Sequence, residues 1–140
     1  IEQKSVPSRR LIKEFPKKLP AILTGDFNVD QTSESYQLLD GSGIMRDSYE
    51  IADFRYAPNG TFNGFHPDRK TDSRIDHLFL TKEFEVKKYG ILTDTYRSEA
   101  KESARKEQNG NFPKEVSLSK YEARTPSDHF PVMIVVEVKD

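Results

Sequence analysis

The chain has 140 residues, 22 Lys and Arg against 23 Asp and Glu, a formal net charge of −1 and 34% hydrophobic residues, the make-up of one domain or part of one. Its longest apolar run, Val132 to Val136, falls far short of the about 18 residues of a membrane-spanning helix, and the absence of cysteine excludes disulfides, thiolate metal sites and cysteine nucleophiles. A sequence pI near 6.4 and a mean hydropathy of −0.77 give no general attraction to nucleic acid or anionic membranes, so function has to come from local motifs.

The first residue is Ile1, not Met, and Ile1 to Phe15 has no signal-type apolar core, which leads us to expect a processed or truncated chain. Arg9 to Lys18 reads as the end of an amphipathic helix, with Leu11, Ile12 and Phe15 on one side and Pro16 stopping it. Pro20 to Thr24 is a short apolar run closed by Gly25, the pattern of a core strand buried on both faces. Thr32 to Leu39 reads as a short capped helix ended by Gly41-Ser42-Gly43, and Arg46 to Phe54 as a second short helix or turn.

Arg74 to Leu80 alternates, with Ile75, His77 and Phe79 on one face and Asp76, Leu78 and Leu80 on the other, as a strand does. Phe84 to Leu92 gives another strand, and Thr81-Lys82-Glu83 predicts a hairpin between the two. Pro131 to Val138 reads as a final, central strand with Pro at its tolerated first position. Between Arg97 and Arg124, seven basic and five acidic residues in 28 describe a polar insertion, either a mobile loop or a basic lip over a phosphate-bearing substrate.

Three short strings carry chemistry. Gly25-Asp26-Phe27-Asn28 follows the first strand, and in extended backbone Asp26 and Asn28 project to the same side. There a carboxylate can orient or deprotonate a water, and a neutral amide can bond a phosphate oxygen without repelling it. Asp and Asn are equally good turn formers, and that reading stands beside the first. Asp76 lies inside an otherwise apolar strand and needs a partner: either the nearby Arg74 or His129 of Ser127-Asp128-His129-Phe130. A carboxylate on one imidazole nitrogen would fix the tautomer and raise the basicity of His129. Asp128 is either a hard oxygen ligand for Mg²⁺ or Mn²⁺ or part of a surface turn.

Gly-Asp-Phe-Asn at a strand end, Arg-Ile-Asp-His in the middle and Ser-Asp-His-Phe-Pro-Val at the last strand, in this order, resemble the C-terminal half of the endonuclease/exonuclease/phosphatase superfamily, the DNase I-like group, over about residues 9 to 138. Gly60 to Phe65 also resembles an aromatic-bearing segment that many members carry there. The resemblance implies an α/β fold of four layers, helices outside two packed mixed, largely antiparallel sheets, with the active site at one edge between them. It implies that Asp26 positions and activates the attacking water, that Asn28 holds the scissile phosphate, that Asp76 orients His129, and that His129 contacts the phosphate and stabilises transition-state charge. It implies that Asp128 lies by the metal. His66 and His77 match nothing catalytic and are expected to be structural or surface residues. Members supply a metal-binding Glu and other ligands from an N-terminal half, which we expect to be absent here or to be a separate chain.

The function implied is hydrolysis of a phosphate ester by in-line water attack with Mg²⁺ or Mn²⁺, with the isolated half inactive. A catalytically inactive module binding a phosphorylated ligand or partner is the alternative, and the five chemistry-bearing residues together favour the enzyme. Nucleic acid is a possible substrate that the charge does not favour, and phosphoinositides, sphingomyelin-type lipids and small phosphodiesters remain open.

Overall fold

The computed structural model describes residues 19–56, 58–100 and 121–139; the helix expected at Arg9 to Lys18 and the middle of the polar insertion lie outside them. In chain order the elements are β1 (Ile22–Asp26), α1 (Glu34–Asp40), β2 (Arg46–Asp47), α2 (Ser48–Ile51), β3 (Phe54–Tyr56), β4 (Asp76–Leu80), β5 (Phe84–Ile91), β6 (Tyr96–Glu99), β7 (Tyr121–Arg124) and β8 (Val132–Val138).

Two three-stranded sheets form the body, ordered β1-β4-β2 and β3-β5-β8, with β6 and β7 making a separate ladder. Antiparallel pairing dominates; among the described residues only β3 and β5 run parallel. One face of β4 is covered by α1. Ser33 caps this helix by accepting the Tyr36 N–H, and Tyr36 and Leu39 pack with Met45 and Phe79, joined by Leu23 and Phe27. The alternation of β4 sends Leu80 to the opposite face, where it meets Phe84, Val86, Ile134 and Val136 of the second sheet. The described residues thus form three layers, helix on sheet on sheet, in a mixed α/β fold.

Several expectations are corrected. β4 and β5 do not form a hairpin: Thr81 donates its N–H to the Ala21 carbonyl (3.1 Å) and its carbonyl accepts the Phe84 N–H (3.3 Å), so Thr81 to Glu83 carries the chain from one sheet to the other. Periodicity reports which face of a strand is buried and not which strand is its neighbour. β1 is not buried on both faces, and β8 is not central. Each is an edge strand among the described residues, and Ile22, Met133 and Val135 are exposed. The ends of the 97–124 stretch are not loop: β6 and β7 pair from Tyr96 opposite Arg124 to Glu99 opposite Tyr121.

A buried ionic cluster replaces one predicted pairing. Arg74 lies 3.5 Å from the Tyr49 ring centre and 3.5 Å from both Asp47 and Glu50, while Tyr36 donates its hydroxyl to Asp47 at 2.6 Å. Burial and this bond to a carboxylate push the Tyr36 phenol well above its ordinary value. Arg74 is therefore committed to joining α2 and α1 to the sheet, and Asp76 takes another partner.

Candidate active site

The register of β1 on β4 places Gly25 opposite His77 and Asp26 opposite Asp76, so two carboxylates share the last rung of the ladder. His129, at the head of β8, stands between them. Its Nδ1 donates to Asp76 Oδ2 at 2.8 Å, and its Nε2 lies 4.0 Å from Asp26 Oδ2. The imidazole is raised above its ordinary value, first by its hydrogen bond to Asp76, against the opposing effect of burial, and further by the charges of Asp76, Asp26 and Asp128. Asp76 belongs to one sheet and His129 leads into the other, so the pair sits at the edge between them. There a cleft of about 260 Å³ is lined by Gly25, Asp76, Ser127, His129 and Val132 among others.

Asn28 is placed differently from the extended geometry expected of it. Its φ is +54°, in the left-handed region that Asn tolerates better than most residues, and its N–H donates to Asp26 Oδ1 at 2.8 Å. β1 thus ends in a tight turn of its own acid and amide, as the turn-former reading has it. Asp26 holds the turn with Oδ1 and keeps Oδ2 toward His129.

One positioning element escapes sequence reasoning. Thr61 is fully buried, and its hydroxyl oxygen accepts the N–H groups of Ile75 (2.9 Å) and Asp76 (3.1 Å). Its carbonyl accepts Phe130 N–H at 2.7 Å, and Asp128 O accepts from Asn63 N–H (2.8 Å) and Gly64 N–H (3.0 Å). Phe62 bridges to His129 in antiparallel fashion, with its ring edge-on to the imidazole at 5.2 Å. Residues 60 to 64 therefore stitch the start of β4 to the strand end bearing His129. The available signal was Thr and Asn between bracketing glycines, two small polar residues that a turn buries only when their bonds are used.

His77 is buried among Phe27, Tyr36 and Phe79 and bonds the Val29 carbonyl through Nε2 at 3.0 Å. His66 lies in a turn, donating its N–H to Asn63 O. Neither belongs to the cluster. Asp128 is adjacent to it, its carboxylate contributing to the raised imidazole. Carboxylate oxygens suit Mg²⁺, which commonly takes one or two protein carboxylates and completes its shell with water and phosphate. No group of three or more His, Asp or Glu residues able to hold an ion occurs among the described residues.

Two carboxylates and one imidazole thus meet at the edge between the packed sheets. The chain is a member of the Endonuclease/Exonuclease/phosphatase family, whose pattern matches residues 8–129. It is similar to the mannosyl-6-phosphatase of Bacteroides thetaiotaomicron VPI-5482, at 50% identity and a TM-score of 0.74 over 92% of this chain and 42% of that one. An endonuclease/exonuclease/phosphatase family protein from Bacteroides thetaiotaomicron is similar at 51% identity, TM-score 0.74, over 91% and 42%. A third, from Bacteroides vulgatus, is similar at 26% identity and TM-score 0.61, over 94% and 41%. The chain thus spans about two fifths of the length of each. No curated protein matches significantly.

Proposed function

We propose that these residues form one wall of a phosphoester hydrolase site that works by in-line attack of water, and that the ester is the phosphate monoester of a sugar. The observation that carries the reading is the Asp76–His129–Asp26 arrangement at the sheet edge. The imidazole stands 2.8 Å from one carboxylate and 4.0 Å from another, and its hydrogen bond to Asp76 favours the charged form of the ring.

In this reading Asp26 Oδ2 orients the attacking water and receives its proton as the water oxygen bonds to phosphorus, while the ester P–O bond breaks on the opposite side and the sugar oxygen leaves as the alcohol with a proton from solvent. His129, aimed by Asp76 and favoured by it in the charged form, faces the phosphate and stabilises the charge that grows on its oxygens, a contribution largest in the transition state. Asn28 donates its amide to a phosphate oxygen. Asp128 would hold a divalent ion, Mg²⁺ or Mn²⁺, whose chemistry when bound is neutralisation of phosphate charge. The preference for a sugar phosphate is supported by the 50% identity to a mannosyl-6-phosphatase, and the near-neutral charge balance disfavours a nucleic-acid backbone. We further propose that remaining ligands come from the part of the domain represented in the matched structures and not in these 140 residues.

The test is an assay of the complete protein with Mg²⁺ or Mn²⁺ on mannose 6-phosphate, bis-p-nitrophenyl phosphate and nicked DNA. Turnover of the monoester that EDTA abolishes and either ion restores is the expected result. Exclusive cleavage of DNA, or binding without hydrolysis of any ester, would overturn it.

A further inference from the structure

Neighbouring residues of a strand point to opposite faces of its sheet, and on β4 two such neighbours are Asp76 and His77. Asp76 bonds His129. His77 turns to the side covered by α1, where it is only 2% exposed. The rings of Phe27, Tyr36 and Phe79 stand 5.4, 5.0 and 5.8 Å from its own. A phenyl ring would suit that box as well as an imidazole does, so packing does not account for a histidine. Its polar atom has a use, however. Nε2 lies 3.0 Å from the Val29 carbonyl oxygen, 48 residues back in the chain. A carbonyl only accepts, so Nε2 carries the proton and donates it.

Val29 follows Asn28, which is exposed and has φ +54°, a conformation kept where surrounding bonds over-determine it. Those bonds stand on both sides of Asn28. Its own N–H is held by Asp26 Oδ1 at 2.8 Å, and the preceding Phe27 N–H donates to the Ile75 carbonyl at 2.8 Å. On the far side come the His77 bond to Val29 and then Gln31, whose Nε2 donates to the Asp72 carbonyl at 2.7 Å and whose Oε1 accepts the Arg74 N–H at 3.0 Å. Apart from Asp26, every partner belongs to residues 72 to 77, the segment that also carries Asp76. Of these, His77 is the side chain that reaches the residue next to Asn28.

We propose that His77 is a positioning residue of the hydrolytic site: through the Val29 carbonyl it holds Asn28 in the left-handed turn that presents its amide to the phosphate. This rests on the hydrolase reading and deepens it. β4 then serves both sides of the site, aiming the imidazole of His129 with Asp76 and the amide of Asn28 with His77.

Two variants of the complete protein separate positioning from packing. His77→Phe keeps a ring and removes the donor; it should stay folded by circular dichroism and lower kcat/KM for mannose 6-phosphate about tenfold or more, with kcat and KM both moving as in Asn28→Ala. His77→Gln does the reverse, since its amide nitrogen is as many bonds from Cα as Nε2 and can donate, while the ring packing is gone. It should melt lower than His77→Phe and yet recover most of the lost kcat/KM. Adding His77→Phe to Asn28→Ala should change kcat/KM by less than about twofold, because the group that it positions is already absent. Activity that follows melting temperature across the two variants, or losses that multiply in the double variant, would overturn the positioning role and leave the hydrolase reading standing. Should His77→Phe not fold, a poorly active His77→Gln protein would overturn it equally. One readout needs no turnover: exchange of the Asn28 backbone amide hydrogen, followed by NMR, should quicken about tenfold in His77→Phe and slow again in His77→Gln. Unchanged exchange would overturn the proposal. Quickened exchange with weaker binding of inorganic phosphate, in a protein that hydrolyses no ester, would support the His77 contact and overturn the hydrolase reading.

Discussion

Asp26 and Asp76 face each other across the last rung of an antiparallel ladder, where like charges repel, and His129 offsets that repulsion from between them. If Asp26 orients and deprotonates the attacking water as proposed, Asp26→Ala in the complete protein should reduce kcat by about 10²- to 10⁴-fold, a loss felt in the transition state. Asn28→Ala should alter kcat and KM together, since an amide on the phosphate acts before and during reaction. An Asp26→Ala enzyme whose kcat stayed within a few fold would leave that residue as a turn former only. The imidazole has a pH signature. Its folded value is raised, so its stabilisation is full below the unfolded value of about 6.5 and is lost as pH rises through the higher folded value. Asp76→Asn removes the largest cause and should move the His129 titration, followed by its imidazole NMR signals, down toward the ordinary value. A titration midpoint that did not move would refute the pairing as the cause.

Among elements, the 60–64 turn decides whether the site assembles. A Cβ on Gly60 would stand 1.8 Å from Thr71 Oγ1 and 2.7 Å from the Ser73 carbonyl. The hydroxyl can rotate away, but the carbonyl is backbone and already accepts the Thr61 N–H at 3.2 Å. Gly60→Ala should therefore cost roughly 1–3 kcal/mol, read as a lowered urea midpoint. Thr61→Val keeps the shape but removes the acceptor for two part-buried N–H groups, a loss of about 1–3 kcal/mol. Thr61→Ser should recover most of it, and equal loss in both variants would mean that packing, not the hydroxyl, matters. The strands β1, β4, β5 and β8 and the capped helix were legible because periodicity and end signals are local. The sheet change at Thr81, the edge positions of β1 and β8 and the role of Thr61 were not, because each depends on partners far away in the chain. The Asp76–His129 pair was legible for a different reason: a carboxylate in an apolar strand needs a partner, and few residues could supply one.

For the whole molecule, the exposed Ile22, Met133 and Val135 on two edge strands are surface that water disfavours. The 140-residue chain alone should show enhanced ANS fluorescence and concentration-dependent association in size-exclusion chromatography, both suppressed in the complete protein, and should not turn over mannose 6-phosphate. Robust turnover by the chain alone would show that its own residues suffice. The bond between Asp76 of one sheet and His129, which leads into the other, also works as a spacing gauge. It spans 2.8 Å, and a hydrogen bond is largely lost within about an ångström of lengthening, whereas apolar contacts such as Leu80 against Val86 yield more gradually. Any loosening that lets the sheets drift apart, by a cavity at Leu80 or by mild denaturant, should therefore silence the proposed hydrolysis while circular dichroism is still native, so that loss of activity precedes loss of fold along a urea titration.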